Sequence, residues 1–284
     1  MSVSSIPTHQ PMHCDDKRIF KDGKLHSVNG EPAIVRYDRE YFVDGDESED
    51  EGYWVSNVEL KEWYNEGGLH RENGPARIEY KIIQFRSDEK RSSKVLEEWY
   101  QHGKLYREGD YPARILYDEV WNWDDAEDND YCYKNVEEYY QDQKLHRENG
   151  PAVIVYNEDG STTEKKWYIR GELRRILEHS FDEDSDSWYD TWYKNGEIHR
   201  DDGPALTQKV EILSYKSNLE TWYQNGKLHR EDGPAEVSSD EDDELLQKWY
   251  QNGELHRLDG PAYIYSYKGK SSERYYRYGL KFEI

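Results

Sequence analysis

The chain has 284 residues and a formal net charge of −23, from 61 acidic against 38 basic side chains, a balance that argues against wrapping a nucleic-acid backbone, which needs a basic stripe. Its mean hydropathy is −1.21, and no run approaches the roughly 20 apolar residues of a helical membrane span. Leu, Ile, Val and Phe supply fewer than one residue in five, which with this charge ordinarily marks disorder, but 10 Trp and 26 Tyr reverse the reading, since each buried aromatic removes roughly 150–250 Å² from water.

Residues 1–18 carry no repeated pattern and are read as a flexible or docking arm, without the basic and apolar regions of a signal peptide. From Ile19 onward one phrase recurs, most cleanly at Trp222–Ala235 as W-Y-Q-N-G-K-L-H-R-E-D-G-P-A. Copies open at Ile19, Trp63, Trp99, Tyr139, Trp167, Trp192, Trp222, Trp249 and Tyr275, the first worn, the fifth truncated and the last a half-copy. Such a period marks a repeat architecture, and a worn first copy is what a capping repeat looks like.

Asn225-Gly226 lies between two short aromatic and aliphatic runs. That is the strongest short-range hairpin signal, because a type I′ turn needs positive φ at both central residues. A two-residue turn sets Tyr223 opposite Leu228 and Trp222 opposite His229, so Tyr and Leu share one face and Trp and His the other. The same logic makes Tyr64, Gly67, Tyr100, Gly103, Tyr193, Gly196, Tyr223, Gly226, Tyr250 and Gly253 the residues that build the repeat. Asp232-Gly233-Pro234 then breaks the strand, and alternation resumes in runs such as Ala76, Ile78, Tyr80 and Ala152, Ile154, Tyr156. Each unit is expected to be a hairpin plus a third strand. The fold class is all-β: tandem antiparallel hairpins forming an elongated, twisted, open meander.

Between copies, the spacing falls from 40 residues (Tyr100 to Tyr140) to 27 (Tyr223 to Tyr250). The variation sits in the acidic stretches Asp44–Glu51, Asp124–Asp130, Phe181–Asp186 and Asp240–Glu244, read as loops projecting from a common edge. In the fourth copy Asp142-Gln143 replaces the turn glycine, so Gln143 must take a positive φ or the turn must change length. The fifth lacks Gly-Pro-Ala and is expected to interrupt the sheet. Units 1–5 span 19–177 and units 6–9 span 178–284, with a soft boundary near 177–186.

His26, His70, His146, His199, His229 and His256 form one column, with Tyr106 and Arg174 in its remaining places. Neighbouring strands stand about 4.8 Å apart, too far across a repeat for the column to share a metal whose ligands must lie at about 2.0–2.1 Å. The histidines are read as structural, stacked on the paired tryptophan and bonded locally. The following arginines, including Arg200 and Arg230, precede acidic residues such as Asp201, giving a local arginine–carboxylate ladder. The chain has no nucleophile elbow, phosphate loop or zinc pattern, so no cofactor, metal or catalytic residue is assigned and an enzyme is not expected. Cys14 and Cys132 make no disulfide framework, which fits an intracellular setting.

At the level of this phrase the chain resembles MORN-type repeats, above all the variant seen in antitoxin-like bacterial proteins and in repeat proteins of large DNA viruses and phages. The Tyr-x-x-Gly core carries the resemblance, and the Leu-His-Arg and Asp-Gly-Pro-Ala extension departs from it. It implies a scaffold for protein assembly or attachment, in the cytoplasm, or in a virus factory or virion if viral. The partners expected are proteins, basic ones among them, with self-association through sheet edges as a further route. Trp63, His70, Trp192, His199, Trp222, His229, Trp249 and His256 are the candidate interaction face. The alternative is an antitoxin-like acidic inhibitor of a basic protein.

Overall fold

A computed structural model describes residues 17–43, 54–84, 90–120, 131–213 and 215–283. Cys14, Asp44–Glu51 and Asp124–Asp130, with the arm's first sixteen residues, lie outside them. Every regular element among the described residues is a strand. The chain divides into two compact units, Met1–Arg107 with Ala113–Tyr133, and Glu108–Pro112 with Lys134–Ile284.

In unit 1, strands Ile34–Val43, Trp54–Glu62, Arg77–Gln84, Lys90–Glu98 and Arg114–Val120 pair antiparallel in chain order, with Lys17–Arg18 added against Ile34–Val43. In unit 2 the same meander runs through Val153–Tyr156, Thr162–Ile169, Glu172–Phe181, Ser185–Lys194, Leu206–Ile212, Tyr215–Thr221, Glu236–Asp240, Glu244–Lys248, Tyr263–Tyr267 and Lys270–Arg277. These pairings leave each sheet open. The run after each Ala therefore does two things: Arg77–Gln84 pairs back to Trp54–Glu62 and forward to Lys90–Glu98.

Much of each spacer, expected to be loop, is strand. Lys90–Glu98 (KRSSKVLEE) has no apolar alternation, yet it fills the sheet because cross-strand charges are matched. Glu62, Arg77, Glu98 and Arg114 stand in one row across four strands. Arg77 lies 3.8 Å from Glu62 and 3.7 Å from Glu98, and Arg114 lies 3.2 Å from Glu98. Tyr64 and Tyr100 donate to Glu62 at 3.0 Å and Glu98 at 3.1 Å. Of the acidic stretches that are described, only the tips turn: 182–184 and 241–243, with strand on either side.

The expected interruption at the fifth copy does not occur. Glu172–Phe181 pairs with both neighbours, from Glu164↔Glu178 on one side and to Phe181↔Asp186 on the other. Without Gly-Pro-Ala the chain has no reason to leave the sheet, so the strand runs on to Phe181 and turns back only at 182–184.

The repeated phrase is an excursion from this sheet. Glu62 and Arg77 are partners in the ladder, and between them Trp63–Ala76 leaves and returns, closed by the Trp63 N–H donating to the Ala76 carbonyl at 2.8 Å. Inside it lies the two-residue hairpin, Tyr64 opposite Leu69, as Tyr223 is opposite Leu228. Both central residues have positive φ: 49° and 71° at Asn225-Gly226, 53° and 80° at Asn195-Gly196, 54° and 88° at Asn252-Gly253. Asp142-Gln143 keeps the same turn at 49° and 61°. Gln143 thus accepts a strained backbone rather than a different loop. Burial is thin: Ala33, Ala76, Ala152, Ala205, Ala235 and Ala262 have no exposed surface, and no large side chain among the described residues is fully buried.

Gly226→Val should lower stability by about 1–2 kcal/mol, because left-handed backbone is costly for a residue with a Cβ, whereas the exposed strand change Lys209→Val should stay within about 0.5 kcal/mol. Gln143→Gly should raise stability by up to about 1 kcal/mol. Urea unfolding decides, and equal midpoints for the first two would contradict the turn. Burial first, then the adjacent Glu62 and Glu98, push Tyr64 and Tyr100 up to about 12. A folded value above the ordinary 10.0 means that stabilisation is complete below pH 10 and is lost as pH rises toward 12. The double variant Tyr64→Phe, Tyr100→Phe should lose stability less steeply over that range.

Candidate functional site

The excursions of successive repeats lie against one another, and the recurring residues make the joint. Each docked turn offers two backbone N–H groups to the hairpin before it. The first donates to the histidine ring: Asn225 N–H to His199 Nδ1 at 3.0 Å, Asn252 to His229 at 3.1 Å, Arg170 to His146 at 3.1 Å, Tyr278 to His256 at 3.2 Å, and His102 to His70 at 3.3 Å. The second donates to the carbonyl of the residue before histidine: Gly226 to Ile198 at 3.0 Å, Gly253 to Leu228 at 2.8 Å, Gly103 to Leu69 at 2.8 Å. A third bond returns from the arginine N–H to the next tyrosine carbonyl, as from Arg230 to Tyr250 at 3.3 Å. At His199, Nε2 meets Asp201 Oδ1 at 2.7 Å, which fixes the tautomer with Nδ1 free to accept.

The worn first copy makes the same joint, with the Glu66 N–H to His26 Nδ1 at 3.5 Å and the Gly67 N–H to the Leu25 carbonyl at 3.0 Å, and adds one bond to it. Ser27, in the arginine place, donates its N–H to Tyr64 O at 2.8 Å and accepts from the Tyr64 N–H on its hydroxyl at 3.0 Å.

No histidine of the column stacks on tryptophan among the described residues; arginine does. The guanidinium lies over the ring of its own repeat: Arg71 on Trp63 at 3.8 Å, Arg107 on Trp99 at 4.0 Å, Arg147 on Tyr139 at 3.8 Å, Arg200 on Trp192 at 4.3 Å, Arg230 on Trp222 at 4.0 Å and Arg257 on Trp249 at 4.1 Å. From there Arg230 Nε reaches Asp232 at 2.8 Å and Nη1 reaches the Pro234 carbonyl at 3.3 Å. The ladder partner is therefore the aspartate two residues after the arginine, Asp202, Asp232 or Asp259, and not the residue that follows it directly. These three carboxyls are held below the usual range by that arginine. A Cβ on Gly233 would stand 3.0 Å from the Arg230 guanidinium carbon and press on the stacked guanidinium, so glycine serves here through space and not through a left-handed backbone.

The column has exceptions, and they matter. Tyr106 takes the histidine place in the last hairpin of unit 1, and Arg174 takes it in the fifth hairpin, where it pairs with Glu172 at 2.7 Å. Among the described residues no hydrogen bond joins the next turn, Asn195-Gly196, to that fifth hairpin. A Cβ on Gly196 would meet nothing within 4 Å, whereas at Gly226, Gly253 and Gly171 it would meet the preceding hairpin's Glu197, Lys227 and Lys144. Within unit 2, histidine is present where the next hairpin docks and absent where it does not.

The candidate interaction face thus lies largely within these joints. His199, His229 and His256 are buried, as is Trp63, while His70, Trp192, Trp222 and Trp249 are half-buried. Tyr64, Tyr100, Tyr193, Tyr223 and Tyr250 sit opposite the apolar residue of each hairpin, and Gly67, Gly103, Gly196, Gly226 and Gly253 hold the second turn position. Sequence reasoning missed the arginine stack and the histidine's partner, although the constant spacing of Trp, Arg and Gly was a signal for the first. Among the described residues no three His, Cys, Asp or Glu side chains are placed to hold a metal, and no helix is long and apolar enough to cross a membrane. No protein-family model and no curated protein matches the chain.

His229→Phe should cost about 1 kcal/mol, the worth of one hydrogen bond, while Arg174→Phe should leave stability within about 0.5 kcal/mol. Gly233→Ala and Arg230→Leu should each destabilise but combine less than additively, because both dismantle one stack. Strict additivity would separate glycine from guanidinium and contradict the geometry.

Proposed function

We propose that the chain is a non-catalytic scaffold that binds or assembles other proteins, built on MORN-like repeats. One observation carries this reading: the recurring Trp, Arg and Gly-Pro residues hold each repeat together and the recurring His joins it to the next, so their recurrence is explained by architecture and needs no shared chemistry. What differs from copy to copy is the edge of turns opposite the hairpins, where acidic residues concentrate. A changing edge on a constant frame suits recognition. The motif's likeness to repeats of large DNA viruses carries the reading further, to a virion or infection-stage component, which particle proteomics would detect.

The second reading is an acidic inhibitor of a basic protein, favoured by the net charge of −23. Affinity capture from the native source, followed by mass spectrometry, separates the two. A scaffold recovers several proteins in varied ratio, whereas an inhibitor recovers one basic protein one-to-one and releases it as salt rises from about 50 to about 500 mM, where exposed charges are screened. Capture of nothing beyond background would count against both.

A further inference from the structure

Asn-Gly occurs six times, at Asn29-Gly30, Asn73-Gly74, Asn149-Gly150, Asn195-Gly196, Asn225-Gly226 and Asn252-Gly253. Asparagine is among the thermolabile residues, and a following glycine exposes it most, because no Cβ shields the glycine nitrogen that attacks it. The reaction has a geometric demand. Closing a five-membered ring between that nitrogen and the asparagine Cγ needs backbone torsions far from those of a type I′ turn. The turn must open first, and the glycine N–H must leave any acceptor it holds.

At five of the six sites the turn or its glycine is held. Gly226 and Gly253 donate to the Ile198 and Leu228 carbonyls at 3.0 and 2.8 Å, while the Asn225 and Asn252 N–H groups rest on His199 and His229. Gly74 and Gly150 pack against the Arg71 and Arg147 guanidiniums, where a Cβ would lie 3.3 Å away. The Gly30 carbonyl accepts from Trp63 Nε1 at 2.8 Å, and the Glu31 N–H closes that turn on the Val28 carbonyl at 3.0 Å.

Asn195-Gly196 is the exception. Its turn has the same geometry, 53° and 80°, and both residues are exposed. Among the described residues neither N–H makes a hydrogen bond, and a Cβ on Gly196 would meet nothing within 4 Å. Opening this turn costs only its own closing pair, Lys194 opposite Glu197. Opening at Asn225 or Asn252 costs a closing pair and two bonds to the repeat before as well.

We infer that Asn195 is a site of spontaneous deamidation, and that the histidine joints protect Asn225 and Asn252 from the same reaction. The Gly196 nitrogen bonds to the Asn195 Cγ, the bond from Cγ to the side-chain nitrogen breaks, and the Gly196 proton leaves with that nitrogen as ammonia. The succinimide so formed adds water at either carbonyl and opens to aspartate or isoaspartate, with nothing oxidised or reduced. Both products add a negative charge. Isoaspartate also lengthens the turn's backbone by one carbon, in the hairpin that carries His199, the acceptor for the next joint. The inference goes beyond the scaffold reading and does not rest on it.

The test ages the full chain at mildly alkaline pH and maps its peptides by mass spectrometry, with the chain unfolded in guanidinium chloride as the reference. Unfolded, Asn195, Asn225 and Asn252 should deamidate at one rate, since glycine follows each. Folded, Asn195 should react at least ~10-fold faster than the other two, a factor within reach of two hydrogen bonds. His229→Phe, its folding verified by a melting curve, should bring Asn252 toward the Asn195 rate and leave Asn195 unchanged. Equal rates at the three sites in the folded chain would overturn the inference, with or without that variant. So would an inert Asn195 in a folded chain whose unfolded form reacts, or a preference for Asn195 as large unfolded as folded. An Asn252 rate that His229→Phe leaves unmoved would overturn the protection assigned to histidine.

Discussion

Everything in the repeat depends on a turn of two residues with positive φ. That geometry aims two successive N–H groups out of the turn and toward the hairpin before it, where a histidine Nδ1 and a carbonyl receive them. A turn in solvent would give those donors to water at little gain. A turn docked on its predecessor converts them into a joint whose polar groups are paired, which is the condition for burying them at all. The histidine thus acts as an acceptor placed by one repeat for the next, and its neutral form is the one the joint requires.

The rest of the motif holds that acceptor in position. After histidine the chain must leave the hairpin and return to the sheet at Ala, and arginine governs the path. Its guanidinium covers the tryptophan ring, bonds the aspartate two residues on and the proline carbonyl, and lies so close to glycine that a Cβ there would press on it. Proline has no N–H to leave unpaired. The alanines beneath have no exposed surface. In a protein with so few aliphatic side chains, order comes from many small, repeated contacts, none of which is a large core.

The hairpins were legible in the sequence because the turn is a local matter: Asn-Gly fixes φ at two residues, and the facing of Tyr223 and Leu228 follows from strand parity. Gln143 was legible as a strain for the same reason, and it keeps the turn at 61°. The partner of His229 was not, because the Asn252 N–H lies 23 residues away and nothing in one copy points to the next. The arginine stack was hidden by parity itself, which pairs tryptophan with histidine across the strand and says nothing of where the chain goes afterwards. The spacer strands were hidden most deeply. Lys90–Glu98 shows no alternation, and only the row of Glu62, Arg77, Glu98 and Arg114 reveals why it pairs.

The fifth copy shows what the joint does by losing it. Arg174 cannot accept, the strand runs on, and among the described residues the turn at Asn195-Gly196 makes no hydrogen bond to the hairpin before it. Residue-resolved amide exchange on the intact chain tests the central claim most directly. The account predicts slow exchange at Asn225, Gly226, Asn252 and Gly253, against rates near those of an open loop at Asn195 and Gly196. Uniform exchange across all three turns would mean that histidine does not join one repeat to the next.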